Sequence, residues 1–294
     1  MAGEYAGIIK RMISGVYINL DRALERRSAI EQQLAALDLP YPVRRLAAID
    51  GLQQKDLPAK LTPSQYGCWL SHLCAIESSI EDDGHLYVVE DDALLSEALV
   101  DLPSIIDAVD SSSNGDWDLL YLDATVVEVE DMCAMFEWTE RARRDQHLGF
   151  VRVPSNFTLY GLLSYVVNSR RKRSVCRFLR EHIERGKPID SITAQGIHQG
   201  ALKAYVTVPL LTCGSELARS SQIEIADDGR NLAWLLFRRL CFVQRDAESL
   251  RDLSAAVGEL TGSFEEPEKL LGLLVSNRVV SFPNARFRPM LGEK

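Results

Sequence analysis

At about 150 residues per domain, a chain of 294 residues holds one large domain or two smaller ones and has ample length to bury a core. Its 46% hydrophobic and 26% charged residues, with 18 Gly and 11 Pro, are those of an ordinary globular protein and exclude disordered, collagenous and fibrous classes. The net charge of −9 argues against a nucleic-acid binder, which needs a positive field over the phosphates.

No apolar run approaches the roughly 18 residues of a spanning helix, and Glu4, Lys10 and Arg11 interrupt the start, so neither a signal peptide nor a membrane span is expected. Cys68, Cys74, Cys133, Cys176, Cys213 and Cys241 have no C-x-x-C spacing, the pattern of reduced thiols in a cytoplasmic chain. Residues 15–20 form a β-rich run. A helical pattern through Ile30, Leu34 and Leu37 follows, with Asp21 placed to cap it and Asp38-Leu39-Pro40 to end it. A second extended run, residues 43–49, closes on Asp50-Gly51, so the opening reads as a βαβ unit and the seed of a parallel sheet. Residues 65–80 carry helical spacing through Cys68, Leu73, Ile76 and Ile80. Residues 86–89 then deliver Glu90-Asp91-Asp92 to the carboxyl end of a strand, where open α/β sheets bind ligands. Residues 117–122, ending on Asp123, and residues 165–167 and 204–208 complete the expected sheet.

From Asp227 the texture turns helical, over residues 232–243, 250–260 and 267–275, and a domain of residues 1–221 with a helical C-terminal region of residues 222–294 is expected. There Trp234, Leu235, Phe237, Leu240 and Phe242 lie among Arg230, Arg238, Arg239 and Arg245. That pattern fits a core-packing helix, or a basic amphipathic helix making peripheral contact with an anionic membrane.

Charge is divided sharply along the chain. Between Lys60 and Arg141 there is no Lys or Arg, while Glu81, Asp82, Asp83, Glu90, Asp91, Asp92, Glu97 and Asp101 crowd one stretch. Arg141, Arg143 and Arg144, then Arg170, Arg171, Lys172 and Arg173, follow it. An anionic substrate beside the acidic stretch needs a divalent cation between them. Glu90 and Asp92, two residues apart on an extended segment, address one side and suit manganese or magnesium; a solvated acidic turn is the plainer alternative. Cys68 and His72 share a helical face, but Cys74 does not and no second ligand pair follows, so the sequence argues for a hydrogen-bonded histidine over a structural zinc. Ser71 and His72 are helix neighbours that point apart, which gives a hydrolase triad no support. No Gly-rich phosphate loop exists, and Asp190, after Gly186-Lys187-Pro188-Ile189, reads locally as a helix cap before it reads as a catalytic carboxylate.

Four motifs in order resemble glycosyltransferase family 25, the lipooligosaccharide and procollagen galactosyltransferase group. They are Val16-Tyr17-Ile18-Asn19-Leu20-Asp21-Arg22 with Arg26, Ala48-Ile49-Asp50-Gly51, Tyr66-Gly67-Cys68-Trp69-Leu70-Ser71-His72, and Tyr87-Val88-Val89-Glu90-Asp91-Asp92. The resemblance spans about residues 14–221; Gln65 stands where the family usually carries an acidic residue, and Asn168 where serine is common, departures expected to bear on donor or acceptor preference. It implies a GT-A-type, Rossmann-like α/β fold with a mixed, mainly parallel sheet flanked by helices. It also implies an inverting, metal-dependent transferase that moves a sugar, galactose foremost, from a UDP-sugar donor to a glycan or lipid-linked glycan acceptor, working in the cytoplasm or peripherally at the inner membrane face. By the same resemblance Asp92 and Glu90 hold the metal, and Asn19, Leu20, Arg26, Ala48, Asp50, Gly51, Ser71, His72, Glu90 and Asp91 line the donor cleft. Asp190 is the expected base, and Asp123 its competitor. Two other classes stay open on the residues alone: a catalytically silent sugar-nucleotide-fold assembly protein, and a metal-dependent phosphohydrolase.

Overall fold

Runs of β-branched and aromatic residues too short for helices become buried strands, and the segments between them become helices that cover both faces. The computed structural model describes residues 13–219, 228–246, 248 and 250–252. In chain order the first half contains β1 (Ile13–Asn19), α1 (Leu24–Leu37), β2 (Val43–Ala47), α2 (Pro63–Glu77), β3 (His85–Glu90), β4 (Ala93–Leu95) and α3 (Leu102–Ser113). There follow β5 (Leu119–Tyr121), β6 (Thr125–Val126), α4 (Val129–Arg144), β7 (Gly149–Arg152), β8 (Leu159–Tyr160) and β9 (Ser164–Val167). The last described elements are α5 (Lys172–His182), α6 (Ile189–His198), β10 (Ala204–Val208), β11 (Thr212–Gly214) and α7 (Asp228–Cys241).

The central sheet has seven strands in the order β2-β1-β3-β9-β5-β10-β7. β1 is parallel to β2 and β3, and β5 to β10, while β9 runs antiparallel between β3 and β5 and β7 antiparallel beside β10. Five strands therefore point one way and two the other, the mixed, mainly parallel α/β sheet that the sequence leads one to expect. Period-2 alternation divides the core in two. Val16, Ile18, Val88, Tyr121, Tyr165 and Val206 face one layer with Trp69, Leu179, Ile192 and Leu236. Tyr17, Tyr87, Val89, Leu120 and Val166 face the other with Ile30, Leu102, Ile106 and Val109.

The sequence misplaces two helix starts. Asp21 does not cap α1: the N-cap is Ala23, with no side-chain bond, and Asp21 instead pairs with Arg45 at 2.5 Å. Helix α2 begins at Pro63, two residues before the apolar spacing does, because Thr62 and Gln65 form a reciprocal capping box with proline in the first turn.

The division of charge is largely resolved by packing. On α5, Arg173 pairs with Glu81 at 2.6 Å and Arg180 donates to Glu77 at 2.6 Å, while Arg171, just before the helix, pairs with Asp116 at 2.7 Å. Lys172 is buried and donates through Nζ to the carbonyls of Ser79 at 2.8 Å and Asp82 at 2.9 Å, closing the turn after α2.

Residue 221, where the sequence draws a boundary, lies outside the described residues. Helix α7 sends Leu232, Leu235, Leu236, Phe237, Leu240 and Cys241 into the same core as Trp69 and Val206. The expected helix 267–275, and all of 250–260 beyond residue 252, lie outside the described residues. Leu236 is completely buried, so Leu236→Ala is expected to lower the stability of the whole chain by about 2–5 kcal/mol in one cooperative denaturation transition. A separate transition that this substitution alone moves would make α7 an independent unit.

Candidate active site

Strand direction brings the carboxyl ends of β1, β3 and β5 to one edge of the sheet, where the chain places Asn19, Glu90-Asp91-Asp92 and Asp123. Asn19 Nδ2 donates to Asp91 Oδ2 at 2.6 Å. Arg26, from α1, donates through Nη1 to Asp91 Oδ1 at 3.3 Å and Asp92 Oδ2 at 3.0 Å. Arg238, from α7, grips Asp123 with Nε to Oδ1 at 2.8 Å and Nη2 to Oδ2 at 2.5 Å. His72, from α2, contacts Tyr165 Oη through Nδ1 and Glu90 Oε1 through Nε2, each at 3.0 Å. Cys68, one turn earlier on α2, His72 and Glu90 bring their ligand atoms within 4.8 Å of one another. Residues 214–217 cross this edge: Ser215 N donates to the Asp92 carbonyl at 2.8 Å, Arg26 Nη2 to the Leu217 carbonyl at 3.0 Å, and Arg239 Nε to the Gly214 carbonyl at 3.1 Å.

The electrostatics follow from burying so many acids together. Burial pushes the Asp92 carboxyl up to about 7; Glu90 and Asp91 repel its charged form, and Arg26 and Arg238 oppose them. Asp91 is also raised by burial, against the Asn19 hydrogen bond and Arg26. Burial raises Asp123, while Arg238 holds it down. Four carboxylates, Glu90, Asp91, Asp92 and Asp123, thus face two guanidinium groups. Asp92 Oδ1 is buried and accepts no hydrogen bond among the described residues. A buried carboxylate oxygen without a donor, beside a second carboxylate and in acidic excess, fits a hard divalent cation.

The other expected site residues sort into two groups. Asn19, Arg26, His72, Glu90, Asp91 and Asp92 converge. Asn19 is almost fully buried; its Oδ1 accepts from Arg45 Nε at 3.0 Å while its Nδ2 holds Asp91. Ser71, Gly51 and Asp50 belong to a separate scaffold joining the loop after β2 to α2. Ser71 Oγ accepts from Ile49 N at 2.8 Å and donates to the Gly67 carbonyl at 2.6 Å. A Cβ on Gly51 would lie 1.6 Å from the Pro63 carbonyl oxygen, and one on Gly67 would lie 2.6 Å from Gly51 N. Glycine at both positions lets the two backbones touch. Asp50 caps the following 3₁₀ turn, accepting from Leu52 N at 3.1 Å, and pairs with Arg22. Ala48 N donates to the Asn19 carbonyl at 2.9 Å, and Leu20 closes the turn into α1. These contacts share one feature: a motif that specifies close backbone packing can have the same residues as one that specifies ligand contact.

Asp190 lies in the first turn of α6, whose N-cap is Pro188, so the capping reading is corrected. Its Oδ1 accepts from Ser191 N at 2.6 Å. Glu90, Asp190 and Asp92 all act on the Cys68 thiol, so Asp190 is on the same side of the molecule as the strand-end acids. The two departures from the family pattern are scaffold. Gln65 completes the capping box, and Asn168 Nδ2 donates to the carbonyls of Gly115 at 3.1 Å and Trp117 at 2.8 Å. Three of the arginines in the expected amphipathic region are engaged within the fold: Arg238 and Arg239 point inward and Arg245 pairs with Glu140. Among the described residues no helix is long and apolar enough to cross a membrane.

Sequence reasoning missed Arg238 as a site residue, because nothing local links it to an aspartate 115 positions earlier. The pair also sets the surroundings of Asp123. Its side chain is 0% exposed and both oxygens accept from Arg238, the arrangement of a structural ion pair. Asp123→Asn is therefore expected to cost about 3–5 kcal/mol, by stranding the Arg238 charge, and the Asp123→Leu, Arg238→Met double variant much less. Denaturant unfolding of the three chains checks this; an Asp123→Asn chain of parental stability but without activity would restore Asp123 as a base.

Residues 12–192 match glycosyltransferase family 25, described as an LPS biosynthesis protein. No curated protein matches the sequence. The match takes in Asn19, Glu90, Asp91, Asp92, Asp123 and Asp190 and ends before α7. Since the match covers more than half of the 294 residues and includes most of the sheet edge where these acids gather, the chain belongs to glycosyltransferase family 25 and is a glycosyltransferase.

Proposed function

We propose that the protein transfers galactose from UDP-galactose to a hydroxyl of a glycan acceptor, a lipooligosaccharide or related glycoconjugate, with inversion at the anomeric carbon. The observation that carries this reading is the buried Asp92 carboxylate at the carboxyl edge of the sheet, with Oδ1 unpartnered among the described residues. The family's description as an LPS biosynthesis protein supports a lipid-linked glycan as acceptor. Such an acceptor would bring the chain to the cytoplasmic face of the membrane through surfaces other than Arg238 and Arg239.

Asp92, with Glu90 beside it, would hold the divalent ion, manganese or magnesium. When bound, that ion supplies positive charge against the donor diphosphate. Arg26 and Arg238 fix the surrounding acids and oppose the rise that burial imposes on them, and the inward-turned Asn19 holds Asp91 in place. The half-exposed edge formed by Leu20, Ala48 and Asp50 takes the nucleotide end. Asp190 is the base in this reading. The acceptor oxygen attacks the anomeric carbon, its proton passes to Asp190, and the bond from that carbon to the diphosphate oxygen breaks with its electron pair leaving on UDP.

Chelation is expected to abolish transfer, and Asp92→Asn to keep the fold while losing most activity. UDP release with and without acceptor is the deciding measurement. Release at full rate without acceptor would make the protein a phosphohydrolase, and donor binding without release would make it a silent homologue. Asp190→Asn should lower turnover about 10²- to 10⁴-fold with donor affinity near parental. Parental turnover in that variant would remove Asp190 from the mechanism.

A further inference from the structure

The sequence argues against zinc at Cys68 because Cys74 faces elsewhere and no second ligand pair follows. The fold supplies a third ligand from another element. Cys68 and His72 stand one turn apart on α2, a spacing that lets two side chains chelate one ion, and Glu90 ends the neighbouring β3. The sulfur, the imidazole nitrogen and the carboxylate oxygen all lie within 4.8 Å of one another. The His72 ring is 1% exposed and fixed on both sides: Nε2 is 3.0 Å from Glu90 Oε1, and Nδ1 is 3.0 Å from the hydroxyl of buried Tyr165. A polar partner on the far nitrogen is the usual support of a metal-bound histidine, setting ring orientation and tautomer. Burial raises the Cys68 thiol, and the titratable groups that act on it, Glu90, Asp190 and Asp92, are all carboxyls, so a cation would be attracted there.

We infer that Cys68, His72 and Glu90 form a site for a thiophilic divalent cation of the zinc type, adjoining the oxygen-ligand position at Asp92 and sharing Glu90 with it. Sulfur, imidazole and carboxylate donors select a borderline-soft ion over magnesium or manganese, and three protein ligands leave one position of a tetrahedron open. Binding releases the Cys68 thiol proton to solvent. In the bound state Nδ1–H of His72 donates to Tyr165 Oη and the Nε2 lone pair faces the ion. The ion would tie α2 to the end of β3 and so fix one wall of the acidic edge. This inference concerns binding alone and does not depend on the transferase reading.

Cobalt(II) titration of the full chain tests it. One equivalent should bind with a thiolate-to-cobalt charge-transfer band in the near ultraviolet, and zinc should abolish the band while excess magnesium does not. Cys68→Ser, a near-isosteric change at a half-buried position, should remove the band and weaken binding at least about 100-fold with an unchanged far-ultraviolet circular dichroism spectrum. Asp92→Asn should keep the band. Zinc should raise the melting temperature of the parent chain and of Asp92→Asn, but not of Cys68→Ser. Absence of the band in the parent, its persistence in Cys68→Ser, its loss in Asp92→Asn or its displacement by magnesium would each overturn the inference.

Discussion

Four carboxylates gathered at one end of a sheet must be held against their own repulsion, and much of the surrounding structure follows from how that is done. Arg26 reaches in from α1 to Asp91 and Asp92, Arg238 from α7 to Asp123, and His72 from α2 to Glu90. Three helices remote in sequence are thereby tied to the sheet edge. Buried ion pairs of this kind add little net stability, since desolvation offsets much of the attraction, but removing either partner leaves a costly unpaired charge. Their effect is to make the edge cooperative: α7 is bound to the site by the same contact that opposes the burial of the Asp123 charge.

The acidic residues of the central stretch divide into two populations with different tasks. Glu77, Glu81 and Asp116 lie outside the site and meet Arg180, Arg173 and Arg171, so the basic segment that follows answers them and brings α5 against α2. These exposed pairs contribute little individually. Glu90, Asp91 and Asp92 receive guanidinium and imidazole partners that do not fully match them, and the remainder falls on Asp92 Oδ1. One unbroken run without Lys or Arg thus contains both a solvated surface and a poised site, and burial alone tells them apart.

This is also why the sequence was legible in some places and not in others. Strands β1, β3, β5, β9 and β10 are apolar on both faces and read directly as buried strands, and the strand-end position of Glu90, Asp91 and Asp92 follows from them. The antiparallel insertion of β9 between β3 and β5 was not legible, because strand direction is set by connections and not by composition. Gly51, Gly67 and Ser71 were visible as a motif but not as a packing device, since the 1.6 Å approach that forbids a side chain at Gly51 exists only once α2 lies against the loop after β2. Arg238 looked like a surface charge on an amphipathic helix. Its partner, Asp123, becomes its neighbour only through the tertiary fold.

Glu90 occupies the pivotal position between two kinds of ligand chemistry. On one side lies Asp92, an all-oxygen environment suited to a hard ion that exchanges with substrate. On the other lie Cys68 and His72, a sulfur and nitrogen environment suited to an ion that stays. Glu90 hydrogen-bonds to His72 at 3.0 Å and repels Asp92 electrostatically, so its charge acts on both. Fixing Glu90 against α2 holds a negative charge at constant distance from Asp92, and the affinity of Asp92 for a cation depends on that distance through the Coulomb term. The wall built from α2 therefore acts on the acidic edge through the position of a single carboxylate.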